Sequence, residues 1–363
     1  MKQFMRAALL ALLMLLLERD SPPPGDMWAR LEAIVRAYRY DFVSWELKSI
    51  AYKVRYAIAS PHRRWSIDQR KDFVLNYFHL MKYSPHSHEI YRSRPIVENI
   101  LQEQLAAVIV DKGLSYNGWV FPPVSIRLTK MPLQLAISPR DKIMLIANIS
   151  LTPDLSVEER ARLEEEIERK LNVSALITSI GGMSTYPAMI PEDSNLEWTI
   201  KEMAHEWVHH YLLFRPLGQR YKDSDEMRTV NETVANIVSN ELGGAMLARF
   251  YPEYIPNYEV SAQPAIDYYT EMAVTRIVVD KLLAAGKVAL AEEFMETRRK
   301  MFADNGYNIR RINQAYFAYH SAYADHPGER GDSPIGPEIV KMAQDMPMRQ
   351  WLDMVSRGTS YGR

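Results

Sequence analysis

The stretch Ala204-His205-Glu206-Trp207-Val208-His209-His210 contains the pattern His-Glu-x-x-His, formed by His205, Glu206 and His209. On a helix, residues four apart lie on one face, one turn above the other. Two imidazoles placed in this way can bind one zinc ion, at about 2.0–2.1 Å from each nitrogen. The glutamate beside the first histidine can then take a proton from a water at that ion. The pattern therefore predicts a metal centre on a helix, with Glu206 as a general base.

The flanking residues predict the helix that carries this pattern. Ser194 and Glu197 have the S-x-x-E spacing of a capping box, which marks a helix start. Pro216 and Gly218 then indicate a helix end. Apolar residues at helical spacing lie between these signals: Leu196, Ile200, Met203, Trp207, Val208 and Tyr211. We expect a helix from about Leu196 to Phe214.

A third ligand is expected downstream, because zinc sites that hydrolyse peptides commonly combine two histidines with one glutamate and leave a fourth position for water. Glu232 follows His209 after 22 intervening residues, enough to end one helix and return on another. The apolar periodicity predicts that second helix from Met227 to about Phe250. Glu232 has another interpretation, as a carboxylate that favours the positive end of this helix. The preceding loop also holds rival ligands: Asp223, Asp225 and Glu226.

Together these residues resemble the gluzincins, the thermolysin-like branch of the zinc metallopeptidases, in which His-Glu-x-x-His is followed by a downstream Asn-Glu. The resemblance covers roughly residues 181–240. It implies zinc as the cofactor, a peptide or protein as the substrate and Glu206 as the general base. It differs at Asn236, where many gluzincins have an aspartate that hydrogen-bonds a ligand histidine; an amide accepts that bond but raises ligand basicity less. The implied metal ligands are His205, His209 and Glu232.

Length and composition set broad limits. The 363 residues have room for one large or two ordinary domains, and 47% hydrophobic with 25% charged residues is typical of a globular protein. The formal net charge of −1 gives no indication of a nucleic-acid partner. Because the chain has no cysteine, it has neither disulfides nor thiolate metal ligands. Histidines and carboxylates therefore have to supply any metal site.

Residues 1–20 are interpreted as an export signal or a short membrane anchor. Lys2 and Arg6 precede an uninterrupted apolar run, Ala7 to Leu17, whose 11 residues suit the core of a signal peptide better than a spanning helix of about 20. A proline-rich linker follows at 21–26. We therefore expect an exported or membrane-anchored protein with its catalytic body outside the cytoplasm. The competing interpretation is an apolar start to an internal helix.

The remaining periodicities predict a predominantly helical α+β chain. An N-terminal helical region (27–92) is followed by residues 93–363, for which the gluzincin resemblance implies a zincin-like metallopeptidase domain. That domain divides into an upper part, with a small mixed sheet and the metal helix (93–218), and a helical subdomain (219–363). The predicted helices are 26–60, 67–82, 96–111, 157–171, 266–285, 288–302, 309–323 and 342–355, and the predicted strands lie near 124–128, 133–137, 143–149 and 175–180.

Two further segments carry expectations from the gluzincin resemblance. Gly181-Gly182 lies where an edge strand above the metal helix should end, and glycines there allow a substrate backbone to approach. A plain turn explains the glycines equally well. Downstream, His320 and Tyr323 are candidate donors to the oxyanion that forms during hydrolysis. Because both lie on an aromatic helix, core packing is a second explanation for them.

Two functions are compatible with these residues. The first is a membrane-tethered or exported zinc peptidase, in which zinc polarises the scissile carbonyl and Glu206 deprotonates the attacking water. The second is a non-catalytic, membrane-tethered interaction protein that retains a structural zinc site. Zinc content and peptide cleavage, measured with and without a chelator, distinguish the two.

Overall fold

The computed structural model describes residue 23 and residues 25–58, 61–85, 87–254, 266–320 and 335–357. The predicted signal or anchor (1–20), half of the predicted linker (21–26) and the candidate donor Tyr323 lie outside these ranges. Within them, the protein is a mostly helical α+β structure with small sheets, so the predicted fold class is confirmed at this level. No helix of the described ranges is both long and apolar enough to cross a membrane.

The N-terminal region is helical, but its first helix is interrupted. Helix α1 (Asp26–Val35) and helix α2 (Phe42–Ile58) replace the single helix predicted from Asp26 to Ser60, which is wrong. The backbone between them pairs with the edge of a strand, where the Tyr40 N–H donates to the Ser150 carbonyl at 3.0 Å. Sheet pairing therefore satisfies backbone groups that a continuous helix would satisfy internally.

The next two helices are α3 (Ile67–Tyr83) and α4 (His88–Asp111). Helix α3 is predicted correctly, whereas α4 begins well before the predicted residue 96. Ser87 caps it by accepting a hydrogen bond from the Ile90 N–H at 3.4 Å, and Pro95 is buried inside it. A proline costs a helix one hydrogen bond and introduces a clash, so it predicts a boundary. Packing of the proline in the core overrides that preference here.

Small sheets form the middle of the chain. The elements are β1 (Ile126–Thr129), β2 (Leu133–Pro139), β3 (Ala147–Leu151), α5 (Val157–Leu171), β4 (Val173–Thr178) and β5 (Ala188–Pro191). Strand β2 is central in an antiparallel sheet of order β3-β2-β4, and β1 pairs with β5 in a separate parallel pair. Strand β4 begins slightly before the predicted residue 175, because Asn172 ends α5 in a left-handed conformation with φ 54°. Strand β5 was not predicted from the sequence.

The rest of the described chain is helical. The elements are α6 (Leu196–Leu213), α7 (Pro216–Gln219), α8 (Asp225–Phe250), α9 (Tyr268–Ala284), α10 (Val288–Asp304), α11 (Gln314–His320), α12 (Ile335–Gln344) and α13 (Met348–Val355). Helix α11 begins later than the predicted residue 309, because Arg310 and Arg311 precede it and bind Glu164. The single helix predicted over 342–355 is divided, since Pro347 caps a separate α13.

The antiparallel sheet is covered on both faces, and the metal helix belongs to a different core. Leu135 and Ile137 on β2 pack in a cluster with α1 and α5, while Ala136 between them packs with α9, α10 and α11. This alternation follows from the two-residue period of a strand. A third cluster joins α4, α6 and α8 with the β1–β5 pair. Helices α6 and α8 therefore form a packed pair within one core.

Candidate metal centre

Helix α6 carries the His-Glu-x-x-His pattern and spans Leu196–Leu213, one residue short of the predicted end. Its cap differs from the predicted capping box of Ser194 and Glu197. The Trp198 N–H donates to Oδ1 of Asn195 at 2.9 Å, so Asn195 is the N-cap. Ser194 instead donates to a carbonyl of the preceding turn, and Glu197 pairs with a lysine one turn later. Ser and Asn are both good caps. The predicted helix start at Leu196 is therefore correct, although the predicted cap residue is wrong.

The three predicted ligands come together between α6 and α8. The Nε2 atoms of His205 and His209 lie 2.9 Å apart, and Oε2 of Glu232 lies 3.3 Å from the first and 3.4 Å from the second. A tetrahedral ion with bonds of about 2.0–2.1 Å separates its ligand atoms by roughly 3.3–3.4 Å. The two distances to Glu232 match this spacing, whereas the imidazole nitrogens lie closer together than a tetrahedral ion would hold them. The cluster could hold a metal ion. Among the described residues this cluster contains His205, His209 and Glu232, and of the rival loop carboxylates neither Asp223 nor Glu226 belongs to it. The side chain of the third rival, Asp225, lies outside the described residues.

Two further side chains orient these ligands. Nδ1 of His209 lies 2.9 Å from Oδ1 of Asn231, so an N–H at Nδ1 leaves Nε2 free to bind a metal. The Tyr221 hydroxyl donates to Oε1 of Glu232 at 2.6 Å, which leaves Oε2 for the metal. Neither role was predicted from the sequence, although Asn231 is the first residue of the quoted Asn-Glu pair. Asn236, expected to bond a ligand histidine, lines the same cleft.

Burial and mutual contact shift the pKa values of these groups. Burial opposes the charge on Glu232, but His209 and His205 outweigh it and hold the pKa of Glu232 well below its usual range. Burial lowers the pKa of His205, whereas its hydrogen bond and charge interaction with Glu232 raise that pKa to about 9. The Glu232 carboxylate is therefore charged at neutral pH and favours a cation at the point where the imidazoles meet.

Glu206 has a different environment on the same helix. Burial raises its pKa well above the usual range; His205 opposes the shift, and the carboxylates of Glu202 and Glu232 reinforce it. Its Oε2 atom is buried and has no hydrogen-bond partner among the described residues. A carboxylate in this state holds a proton readily, as a general acid–base requires.

The glycines at 181 and 182 approach the metal helix itself. A Cβ on Gly182 would lie 2.7 Å from Oε1 of Glu202 and would also collide with Glu206, and one on Gly181 would lie 2.8 Å from Oε1 of Glu202. The Glu202 carboxylate also accepts a hydrogen bond from the Gly182 backbone. The absence of side chains therefore lets this segment pack on two carboxylates of α6. The predicted approach of a substrate backbone remains a prediction.

These groups, apart from Asn231, line a cleft with a volume of about 510 Å³. Of the two predicted oxyanion donors, His320 lines the cleft and stacks on Tyr316, with ring centroids 4.4 Å apart. Tyr323 lies outside the described residues. Tyr319, which the sequence did not single out, also lines the cleft, and burial raises its pKa. The aromatic spacing identified this helix but gave no means to choose among its side chains.

The fold and the site define a class: a mostly helical α+β protein with a buried His-His-Glu group that can hold a metal ion. No protein-family model, no curated protein and no solved structure matches the chain. Any further assignment therefore depends on the chemistry of the site.

Proposed function

We propose that this protein is a zinc-dependent peptidase of the gluzincin type, with a zincin-like core. The observation that carries the proposal is the convergence of His205, His209 and Glu232 on one point, beside Glu206 and an adjoining cleft. Two histidines and one glutamate are a common ligand set of catalytic zinc. The cleft volume of about 510 Å³ falls within the range of ligand sites, roughly 300–1,000 Å³.

The proton transfers are assigned to Glu206. A zinc ion held by the three ligands would supply a Lewis acid that polarises the scissile carbonyl and acidifies a water. Glu206 takes the proton of the attacking water and passes it to the leaving amine, acting first as base and then as acid. Its buried position beside the three ligands and its Oε2 atom, which has no partner among the described residues, support this role.

The oxyanion that develops on the carbonyl requires a hydrogen-bond donor. His320 and Tyr319 both border the cleft and are the proposed donors. Loss of one such donor typically costs about 2.7–4 kcal/mol of transition-state stabilisation. Tyr221 is not proposed as this donor, because its hydroxyl already donates a hydrogen bond to Glu232.

The proposed substrate is a peptide or protein, bound along the segment that follows β4. Strand β4 is an edge strand, and residues 179–184 after it line the cleft. An extended peptide can add to such an edge through its backbone. We further propose that residues 1–20 export or tether the protein, so that its body works outside the cytoplasm, and that nucleic acid is not a partner.

The test combines metal analysis with cleavage of a peptide library by the full chain. We expect one zinc per chain, cleavage that a chelator abolishes and zinc restores, and a Glu206→Gln variant that keeps zinc but loses roughly 10²–10⁴-fold in activity. Glu197→Gln, on the same helix but outside the cleft, is the matched control and should cleave normally. One zinc per chain without any cleavage would replace the peptidase by the structural-zinc alternative.

A further inference from the structure

An exposed aromatic surface lies near the C-terminal end of the metal helix. Four large aromatic side chains form it, with exposed fractions of 60% for Tyr116, 56% for Trp119, 39% for Phe121 and 38% for Phe214. We call this set the aromatic patch. Trp119 is the one exposed residue among the seven tryptophans of the chain, all of which the structure describes. Several large aromatic side chains that are exposed next to one another indicate a contact surface.

The aromatic patch is held in a defined shape. Tyr116 and Trp119 exchange backbone hydrogen bonds of 2.9 and 2.8 Å across a two-residue turn. Asn117 and Gly118 in that turn have φ values of 49° and 77°, the positive values that a tight type I′ turn requires. The rings of Phe121 and Phe214 lie 5.1 Å apart, which joins the turn to the end of α6.

The patch and the cleft are on different sides of α6. Trp207 donates from Nε1 to the Pro122 carbonyl at 2.9 Å and so fixes the patch loop to this helix. Trp207 lies two positions from both His205 and His209, and two positions correspond to roughly 200° around a helix. The loop is therefore attached on the side of α6 opposite the metal ligands, and contact through the patch would leave the cleft accessible.

A cation borders the patch. Arg215 donates to the Tyr116 hydroxyl at 3.4 Å and to the Tyr211 carbonyl at 3.2 Å. In the described part of the chain Arg215 makes no ion pair with a carboxylate; Asp353 accepts a hydrogen bond from the Tyr211 hydroxyl at 3.5 Å instead. Exposed tryptophan and tyrosine next to such a cation suit the headgroup region of an anionic bilayer, where aromatic rings and arginine are both favoured.

We propose that the aromatic patch docks the folded body on a membrane surface, with Arg215 at anionic headgroups and the cleft open to the aqueous side. The same chain carries the apolar run Ala7 to Leu17, interpreted above as a signal or anchor. Stable membrane attachment commonly needs two signals, and a tether makes a second weak contact effectively intramolecular. This inference is independent of the peptidase proposal, because it uses none of the residues in the cleft.

Trp119 itself provides the test. The full chain is bound to vesicles of phosphatidylcholine, with or without phosphatidylglycerol, whose acyl chains carry bromine as a fluorescence quencher. We expect brominated anionic vesicles to quench wild-type tryptophan fluorescence and to quench Trp119→Phe substantially less. Trp65→Phe, which removes a half-buried tryptophan elsewhere, is the matched control and should be quenched like the wild type.

Three results would overturn the proposal. The first is failure of the chain to sediment with either kind of vesicle, and the second is quenching of Trp119→Phe that is as strong as that of the wild type. The third is quenching of the wild type that is as strong on neutral as on anionic vesicles, together with unchanged quenching of Arg215→Gln. This result would show that Arg215 does not bind anionic headgroups. A surface used for a protein partner would give the second result.

Discussion

Glu164 and Glu232 are both buried carboxylates on helices, but the chain surrounds them differently. Glu164 accepts hydrogen bonds from the guanidinium groups of Arg310 and Arg311 at 2.5–3.0 Å and from the Ile177 N–H at 2.5 Å. Its charge is therefore neutralised by cations that the chain carries at every physiological pH. That cluster fastens α5 and β4 to the segment before α11, and it needs nothing from outside the protein.

Glu232 is surrounded by groups that can bind a cation. Two imidazoles approach one of its oxygens and a tyrosine hydroxyl donates to the other. A buried charge is costly unless it is paired. At Glu232 the partner is either a protonated imidazole or a metal ion held by both imidazoles. The comparison indicates that Glu164 is a structural pair, complete within the chain, whereas Glu232 belongs to a cluster that could hold a metal ion.

The largest expected effect that separates the two sites is the loss of metal. We expect Glu232→Gln to lose zinc from the purified chain, with an affinity decrease beyond the roughly 10–100-fold typical of residues that only support a ligand. Zinc at a hundredfold excess over its Kd should stabilise the wild type by about 2.7 kcal/mol. Unfolding in urea with and without zinc measures both. Zinc stabilisation that persists in Glu232→Gln would show that the carboxylate is not a ligand.

The same isosteric change at the other carboxylate should have the opposite signature. Glu164→Gln removes the buried charge that pairs with Arg310 and Arg311, although Arg311 keeps Glu168 at 2.6 Å, so we expect a destabilisation of at most about 3–5 kcal/mol. Zinc content and the zinc-dependent part of the stability should stay unchanged in the folded protein. If Glu164→Gln lost zinc while remaining folded, the two carboxylates would not be independent and the comparison would fail.

A smaller effect is expected from the phenol that orients Glu232. Tyr221→Phe removes the 2.6 Å hydrogen bond to Oε1 and should weaken zinc binding by about 10–100-fold, since supporting contacts to metal ligands have that value. Tyr251→Phe removes a similarly buried phenol that donates to Gln104 at 2.7 Å in the helical core. Zinc titration of both variants tests this role. Weaker zinc binding in Tyr221→Phe alone would support a specific role of Tyr221, whereas equal zinc affinities of the two variants would contradict it.

The sequence predicted the cluster of His205, His209 and Glu232 more accurately than it predicted the bounds and caps of the surrounding helices and strands. His205 and His209 follow from a spacing of four on one helix, and the Asn-Glu pair on the next helix identified Glu232. Such local patterns survive folding because each helix keeps its own periodicity. The identity of the metal and the hydrolysis of peptides remain predictions, because the fold alone identifies neither a metal nor a reaction.

Two of the errors result from long-range contacts. The interruption after α1 depends on pairing of Tyr40 with Ser150, and the late start of α11 depends on Arg310 binding Glu164. Periodicity within a window carries no information about partners that lie a hundred residues away, so propensity was overridden by tertiary structure at these places.

The smallest effect is expected at a third carboxylate, which extends the comparison toward the surface. Glu292 is half-buried, and hydrogen bonds from Arg140 hold its pKa below the usual value of 4.5. Because the folded pKa is depressed, the pair stabilises the protein above pH 4.5, and this contribution is lost as the pH falls through the folded pKa. We expect Glu292→Gln to cost at most about 1 kcal/mol at pH 7. The cost should disappear in acid, so urea unfolding of wild type and variant should converge there. If the free energies of unfolding of wild type and Glu292→Gln differed by the same amount at every pH, the loss would be due to packing. Glu292 would then not be a charge-paired carboxylate like Glu164.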